Sequence, residues 1–186
     1  MTLRSSAGFP EILLRRITPE DKDALVAGLG HLSERSVYQR FLAPKPRLTS
    51  SELRYLTEVD FVDHYALVAV LARQPPHSRP ADGPDRAAQS PEVVVGVGRW
   101  VRSTESPGDA EIAIVVADDL QGRGVGTQLG RALTDAARAR GIERFTASML
   151  PSNQAAHRLF AKISSQLQTV RHDGVDELVA PLTVAA

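Results

Sequence analysis

Gln121-Gly122-Arg123-Gly124-Val125-Gly126-Thr127 is the stretch on which the reading of the fold turns. Before it runs Glu111-Ile112-Ala113-Ile114-Val115-Val116, a strand pattern that Asp118 and Asp119 end. After it, Val125, Leu129, Ala132, Leu133, Ala136 and Ala137 recur at helical spacing, and Gly141 closes the helix. The order is strand, glycine-rich turn, helix. Three glycines in the turn let the backbone bend tightly and approach a ligand closely. The helix start offers unpaired amides and the positive end of its dipole, so residues 121–127 are predicted to hold a phosphate or pyrophosphate. A glycine-rich turn without any ligand is the alternative reading of the same residues.

Around this unit the chain alternates. Ile12, Leu13, Leu14 and Ile17 predict a short strand, and Thr18-Pro19-Glu20-Asp21 a helix start, with a capping hydroxyl, proline at the first position and acids at the positive end. That helix is expected to reach about Gly30. A second is expected over about Ser33 to Leu42, before Pro44, and Thr49-Ser50-Ser51-Glu52 has capping-box spacing and opens a third. Tyr65 to Leu71 reads as a strand buried on both faces. Gln74 to Pro91 holds five of the twelve prolines and is read as a flexible loop (74–91) between two strands. Beyond it come a strand at Val93 to Val101, with Gly96 and Gly98 as bulge or close-approach points, and the strand at Glu111 to Val116. A strand at Arg144 to Met149, a helix at Asn153 to Ile163, and weaker strands near Gln168–Val170 and Glu177–Leu182 follow. This order implies an α/β or α+β sheet covered by helices, read as one domain over residues 1–186.

Three phosphate-binding patterns compete for the glycine turn. A Walker A loop needs a lysine, which is absent here. In a dinucleotide fingerprint the third glycine would follow sooner than Gly130 does after Gly124 and Gly126, and the motif would lie on an early strand. The third pattern, Gln/Arg-x-x-Gly-x-Gly, is met by Gln121, Gly124 and Gly126, and it resembles the coenzyme A pyrophosphate loop of the GCN5-related N-acetyltransferase (GNAT) family. Asn153-Gln154-Ala155-Ala156-His157-Arg158-Leu159-Phe160 resembles the helix that follows one strand later in that family. The resemblance implies a central mixed, mostly antiparallel sheet of about six to seven strands flanked by helices. It also implies acetyl-CoA as cofactor, bound by the loop residues Gln121, Gly122, Arg123, Gly124, Val125, Gly126 and Thr127. Main-chain groups of Ile114 and Val116 would meet the pantetheine and acetyl carbonyl, and Asn153 the pantetheine arm. Asn153 is also a plain helix N-cap, and both roles are compatible. Family members often carry Tyr where Phe160 stands, as the acid that protonates the leaving thiolate. Phenylalanine cannot do so, and the Gly-Phe that often ends the helix is replaced by Ser164 and Ser165.

An alkyl ammonium must lose a proton before it attacks a thioester, so a general base is required. Glu111 is a lone acid at the head of the strand leading into the turn, and partial burial there is expected to raise its pKa. A solvated strand-end carboxylate is the competing reading. Glu-x-Ala-x-x-Val, followed by Asp-Leu and the glycine loop, resembles the Pat-type bacterial protein lysine acetyltransferases, in which the matching glutamate is the catalytic base. Leu32-Ser33-Glu34-Arg35-Ser36-Val37-Tyr38-Gln39-Arg40-Phe41-Leu42, Leu48-Thr49, Val59-Asp60 and Ala66-Leu67-Val68-Ala69 extend the resemblance into the half that shapes the acceptor side. A protein lysine is therefore the implied acceptor, with a small amine as the alternative. Glu52, Glu58, Asp60 and Asp63 surround one Arg54, either to attract a cationic lysine or as a solvated face. Trp100 is read as core.

Composition narrows the field. The 186 residues carry 22 basic and 22 acidic side chains, and this balance argues against a dedicated nucleic-acid binder. The absence of cysteine excludes disulfides, cysteine-ligated zinc and a thiol-borne acyl-enzyme, and fits a reducing compartment. His64 and His157 lack metal-ligand spacing, so no metal is expected. Neither a membrane span nor a signal peptide at Met1 to Pro10 is visible, which predicts a cytoplasmic protein with no membrane partner, monomeric or homodimeric. A non-catalytic acyl-CoA sensor is the rival from outside enzymology.

Overall fold

A computed structural model describes residues 11–71 and 92–182, and the expected loop at 74–91 lies outside them. Within them seven strands form one sheet: β1 (Ile12–Arg16), β2 (His64–Leu71), β3 (Val94–Arg102), β4 (Asp109–Val116), β5 (Arg144–Met149), β6 (Gln168–His172) and β7 (Val175–Pro181). Their spatial order is β1-β2-β3-β4-β5-β7-β6. Every neighbouring pair is antiparallel except β4 with β5. Among the described residues five α-helices flank the sheet: α1 (Lys22–Gly30), α2 (Glu34–Phe41), α3 (Ser50–Thr57), α4 (Val125–Arg138) and α5 (Gln154–Ile163). This is the mixed, mostly antiparallel sheet with flanking helices that the sequence implied.

β2 shows how the two layers divide. Tyr65, Leu67 and Ala69 enter a core shared with α4 and α5, whereas Ala66, Val68 and Val70 enter a second core with Ile17, Leu25, Leu53 and Leu56. A strand with helices on both faces must be apolar at every position, which is why the run from Tyr65 to Leu71 has no polar alternation. α4 buries Val125, Leu129, Leu133 and Ala137, one stripe at four-residue spacing. Burying each leucine contributes roughly 1.5–3 kcal/mol.

The glycines of β3 serve that packing. A Cβ on Gly96 would lie 3.2 Å from Leu129, and one on Gly98 2.8 Å from Leu133, so both glycines let α4 sit close to the sheet. The register also shifts between Ala69 and Val70 opposite this segment, giving the bulge expected there.

Thr49 and Glu52 form the predicted capping box: the Glu52 amide donates to the Thr49 hydroxyl at 3.3 Å, and the Thr49 amide donates to the Glu52 carboxylate at 2.8 Å. The first helix starts later than its sequence suggested. Pro19–Asp21 make a single 3-10 turn, and the α-helix begins at Lys22. Asp21 explains the delay. Its buried carboxylate accepts the Thr18 amide at 2.8 Å and a two-pronged contact from Arg15 of β1 at 2.7 and 2.8 Å, which ties the turn to the sheet. Asp21 is held below its ordinary pKa because the Arg15 and Thr18 hydrogen bonds outweigh burial, which acts the other way.

Candidate active site

The site begins where two strands part. β4 and β5 pair only through Asp109, Ala110 and Glu111 against Arg144, Phe145 and Thr146. Beyond Glu111, β4 continues beside β3 alone, and β5 beside β7. In an antiparallel ladder successive residues turn their main-chain groups to opposite sides. The Ala117 amide donates to Val95 at 2.9 Å and the Ser103 amide to Asp109 at 2.9 Å. The odd-numbered residues of β4 therefore bond to β3, and Ile114 and Val116 aim their amides into the opening between the strands.

The glycine turn closes one end of that opening. Gly122 and Gly124 have φ of +74° and +88°, the left-handed region that side chains resist. The Gln128 amide makes the first helical bond, to Gly124, at 3.0 Å, which leaves the amides of Val125, Gly126 and Thr127 without a partner inside the helix. The first turn of α4 contains no acidic residue, so nothing there opposes an anion.

A cleft runs along this opening. Ile114, Val116, Gln121, Gly122, Gly124, Gly126, Thr127 and Asn153 all line it. Arg123 is exposed on the loop outside the lining, and Val125 turns its side chain into the core, leaving only main-chain atoms to offer. Asn153 accepts the Ala156 amide at 3.1 Å, so it caps α5 as well as lining the cleft. Sequence reasoning missed Arg158 and Lys162, two cations on the cleft wall. Their four-residue spacing on α5, in step with Gln154, was the available signal. Phe160 is buried in the core, whereas its neighbour Leu159 faces the cleft.

Gln121 has an unexpected bracing role. Its side-chain amide donates to the Val116 carbonyl at 3.1 Å, the Asp118 carboxylate at 2.8 Å and the Ser36 hydroxyl at 3.2 Å. Asp118 in turn accepts the Ser33 amide at 2.6 Å and the Ser36 hydroxyl. Burial works against the Asp118 carboxylate, but these bonds to Ser36 and Ser33 prevail and hold it below the usual range. The network joins the start of α2 to the turn. No local pattern announces it, because the partners lie more than 80 residues apart.

A second cleft opens on the other face of the sheet. Glu111 lines it with Ala113, Arg99, Arg40, Tyr55 and Thr146, and Arg40 lines both clefts and so marks their junction. Glu111, Ala113 and Val115 do share one face, as alternation predicted. Glu111 is exposed, however, and the expected partial burial is absent, because its side chain opens onto this cleft while Ala110 and Ile112 on either side turn into the core. The acidic cluster also fails as a lysine trap. Glu52 pairs with Lys45, Glu58 with Lys22 and Asp63 with Arg102, while Asp60 accepts three backbone amides at residues 62–64. None of these acids lines the Glu111 cleft. Trp100 is fully buried and stacks on Tyr65 at 5.7 Å between ring centroids, as a core residue. Among the described residues, no group of three His, Asp or Glu side chains is placed to hold a metal, and no helix is long and apolar enough to cross a membrane.

A sheet split beside a glycine turn at a helix start defines a class of proteins that hold an extended, anion-headed cofactor between two strands. The acetyltransferase (GNAT) family model matches residues 46–164, and the chain belongs to that family. The acetyltransferase Pat of Mycolicibacterium smegmatis is 32% identical over 152 residues, covering 82% of this chain and 40% of Pat. This chain thus aligns with about two fifths of that relative. The GNAT domain of S. lividans PAT is 31% identical with a TM-score of 0.73, covering 92% of this chain and 91% of that one. YncA of Salmonella typhimurium, solved with its cofactor acetyl-CoA, shares the fold at a TM-score of 0.65 and 18% identity, over 94% of this chain and 96% of that one. Enzymes of this family use acetyl-CoA.

Proposed function

We propose that the protein is a cytoplasmic acetyl-CoA-dependent N-acetyltransferase, that residues 1–186 act as one transferase domain, and that its acceptor is a protein lysine side chain. The observation that carries this reading is the parting of β4 from β5 after Glu111, with the amides of Ile114 and Val116 bare on one side and the turn amides at the end. The amides of residues 124–127, with Arg158 and Lys162 nearby, suit a diphosphate. The amides of Ile114 and Val116 suit the pantetheine and the thioester carbonyl, whose oxygen gains negative charge during transfer. Acetyl passes directly to the amine in a ternary complex, and the absence of cysteine excludes a thiol-borne acyl-enzyme.

Glu111 acts as general base in this reading. It stands on the same strand as the carbonyl-binding amides but opens to the second cleft, through which an amine arrives from solvent. Its carboxylate takes the ammonium proton directly or through water. Phe160 supplies no acid, so the thiolate departs without a dedicated donor; a thiol pKa near ~8.5 makes it a tolerable leaving group. The lysine assignment rests on the resemblance of the N-terminal half to the Pat-type enzymes.

Glu111→Gln is expected to retain acetyl-CoA affinity by calorimetry and to lose ~10²-fold or more in kcat. Unchanged kcat would remove Glu111 from the mechanism. Incubation with labelled acetyl-CoA and a cell extract tests the acceptor: label in protein bands is expected, and label confined to small solutes would refute the lysine assignment.

A further inference from the structure

Two arginines in the second cleft lack the partners that buried cations normally have. Arg99 is 6% exposed, on the central strand β3, beside Ala113 of β4. Its Nη1 donates to the Leu56 carbonyl at 3.1 Å and to His64 Nε2 at 3.1 Å, and no carboxylate lies within ion-pairing distance among the described residues. An arginine can only donate, so His64 Nε2 must accept, and the ring is neutral with its proton on Nδ1. Burial, aided by Arg99, pushes the His64 pKa down to about 4. Arg40 of α2 is half-buried and faces the same cleft; its cationic carbon lies 5.1 Å from the Phe41 ring centroid, and it too has no carboxylate within ion-pairing distance among the described residues. The two guanidinium groups repel each other. Burial is the chief cause lowering the pKa of Arg99, to about 10, with Arg40 adding to it. Arg102, the third arginine of the cleft, is committed to Asp63, Pro107 and Arg140.

A buried cation beside a half-buried one, with no ion pair and only the more distant charge of Glu111 acting on Arg40, is costly unless something anionic completes the pair. The cleft that holds them is also lined by Glu111 and Glu105, neither within ion-pairing distance of Arg99 or Arg40, so it is bipolar, with carboxylates and guanidinium groups on one wall. An acceptor matched to this field presents its amine to Glu111 and a carboxylate to the arginines. The coenzyme's own phosphates do not meet the need, because Arg99 does not line the cofactor cleft. A guanidinium fork grips a carboxylate through two parallel hydrogen bonds, which gives direction as well as attraction.

We propose that Arg99 and Arg40 form a carboxylate clamp in the acceptor cleft, so that the preferred acceptor is an amine that also carries a carboxylate. This rests on reading that cleft as the acceptor site of an acetyltransferase. The carboxylate belongs either to an acidic residue next to a target lysine or to a free amino acid-like molecule, and one experiment separates the two.

The full chain is assayed with acetyl-CoA and two matched pairs of acceptors: a blocked peptide Ala-Lys-Glu against Ala-Lys-Gln, and 6-aminohexanoate against 6-aminohexanamide. In at least one pair the acid is expected to exceed the amide by ~10-fold or more in kcat/KM. The pair showing the advantage identifies the source. The advantage is expected to fall toward unity in both Arg99→Gln and Arg40→Gln. Arg40→Gln alters a half-buried side chain, so it serves if Arg99→Gln fails to fold. Equal rates for acid and amide in both pairs, or an advantage that survives the folded variants, would overturn the clamp. Turnover of no amine would instead overturn the enzyme reading. The clamp is then read without turnover, by titrating 6-acetamidohexanoate and following the Arg99 Nε–H resonance. Movement with the acid and not with its amide supports the clamp, and no movement with either overturns it.

Discussion

Replacing Asp118 by alanine tests whether the N-terminal helices and the glycine turn are one mechanical unit. Asp118 accepts the Ser33 amide at 2.6 Å, the Ser36 hydroxyl and the Gln121 side chain at 2.8 Å. All three donors lose their acceptor at once. The carboxylate is only half-buried, so solvent screens these bonds and each contributes about 1 kcal/mol. The expected loss is about 2–3 kcal/mol in unfolding free energy, or ~5–10 °C in Tm for a chain of this length. Function should suffer separately. Gln121 also holds the Val116 carbonyl, and α2 carries Arg40, so a slack network raises KM for both acetyl-CoA and acceptor while kcat changes less. Asp118→Asn, which keeps one accepting oxygen, should fall between wild type and alanine. Urea unfolding and steady-state kinetics measure both effects. An Asp118→Ala protein within ~0.5 kcal/mol of wild type, with both KM values intact, would refute the coupling.

Gly98→Ala would place a methyl 2.8 Å from Leu133 Cδ1 and 3.3 Å from Ile114 Cγ1, and Leu133 is fully buried. Overpacking of this kind costs ~1–3 kcal/mol, and urea unfolding should show it; an unchanged midpoint would mean that α4 can slide away from β3. The neutral His64 ring makes stability depend on acid. Its native pKa of about 4 lies below the ~6.5 of the unfolded chain, so the unfolded state takes up the proton first as pH falls. Stability is therefore lost between those two values and the contribution is flat below them. Allowing for the half-solvated ring, the loss is on the order of 1–2 kcal/mol. The wild-type urea midpoint should fall more than that of His64→Asn between pH 6.5 and about 5, and parallel slopes would refute the assignment.

The sequence by itself determined the elements, the strand-turn-helix unit and the chemistry available to it. Local rules suffice there: period-two and period-3.6 patterns, the Thr49 capping box, and glycines at positions 122 and 124, where the backbone turns left-handed. The line-up of Ile114, Val116, Gly126 and Asn153 along one cleft was implied by the resemblance to the acetyltransferase family rather than by any local pattern. Tertiary structure alone decided the rest. That Glu111 would be exposed depends on what packs against its face of β4, which here is an open cleft. That each of Glu52, Glu58 and Asp63 would be neutralised depends on Lys45, Lys22 and Arg102, two of which come from other elements. The bridge from Asp118 to Ser36 and the meeting of Arg99 with Arg40 join residues distant in the chain, and a single sequence carries no periodic trace of such contacts. Charge makes these long-range meetings consequential: a buried ion's free energy is set by whatever lies within a few ångströms of it, and only the folded chain specifies that neighbourhood.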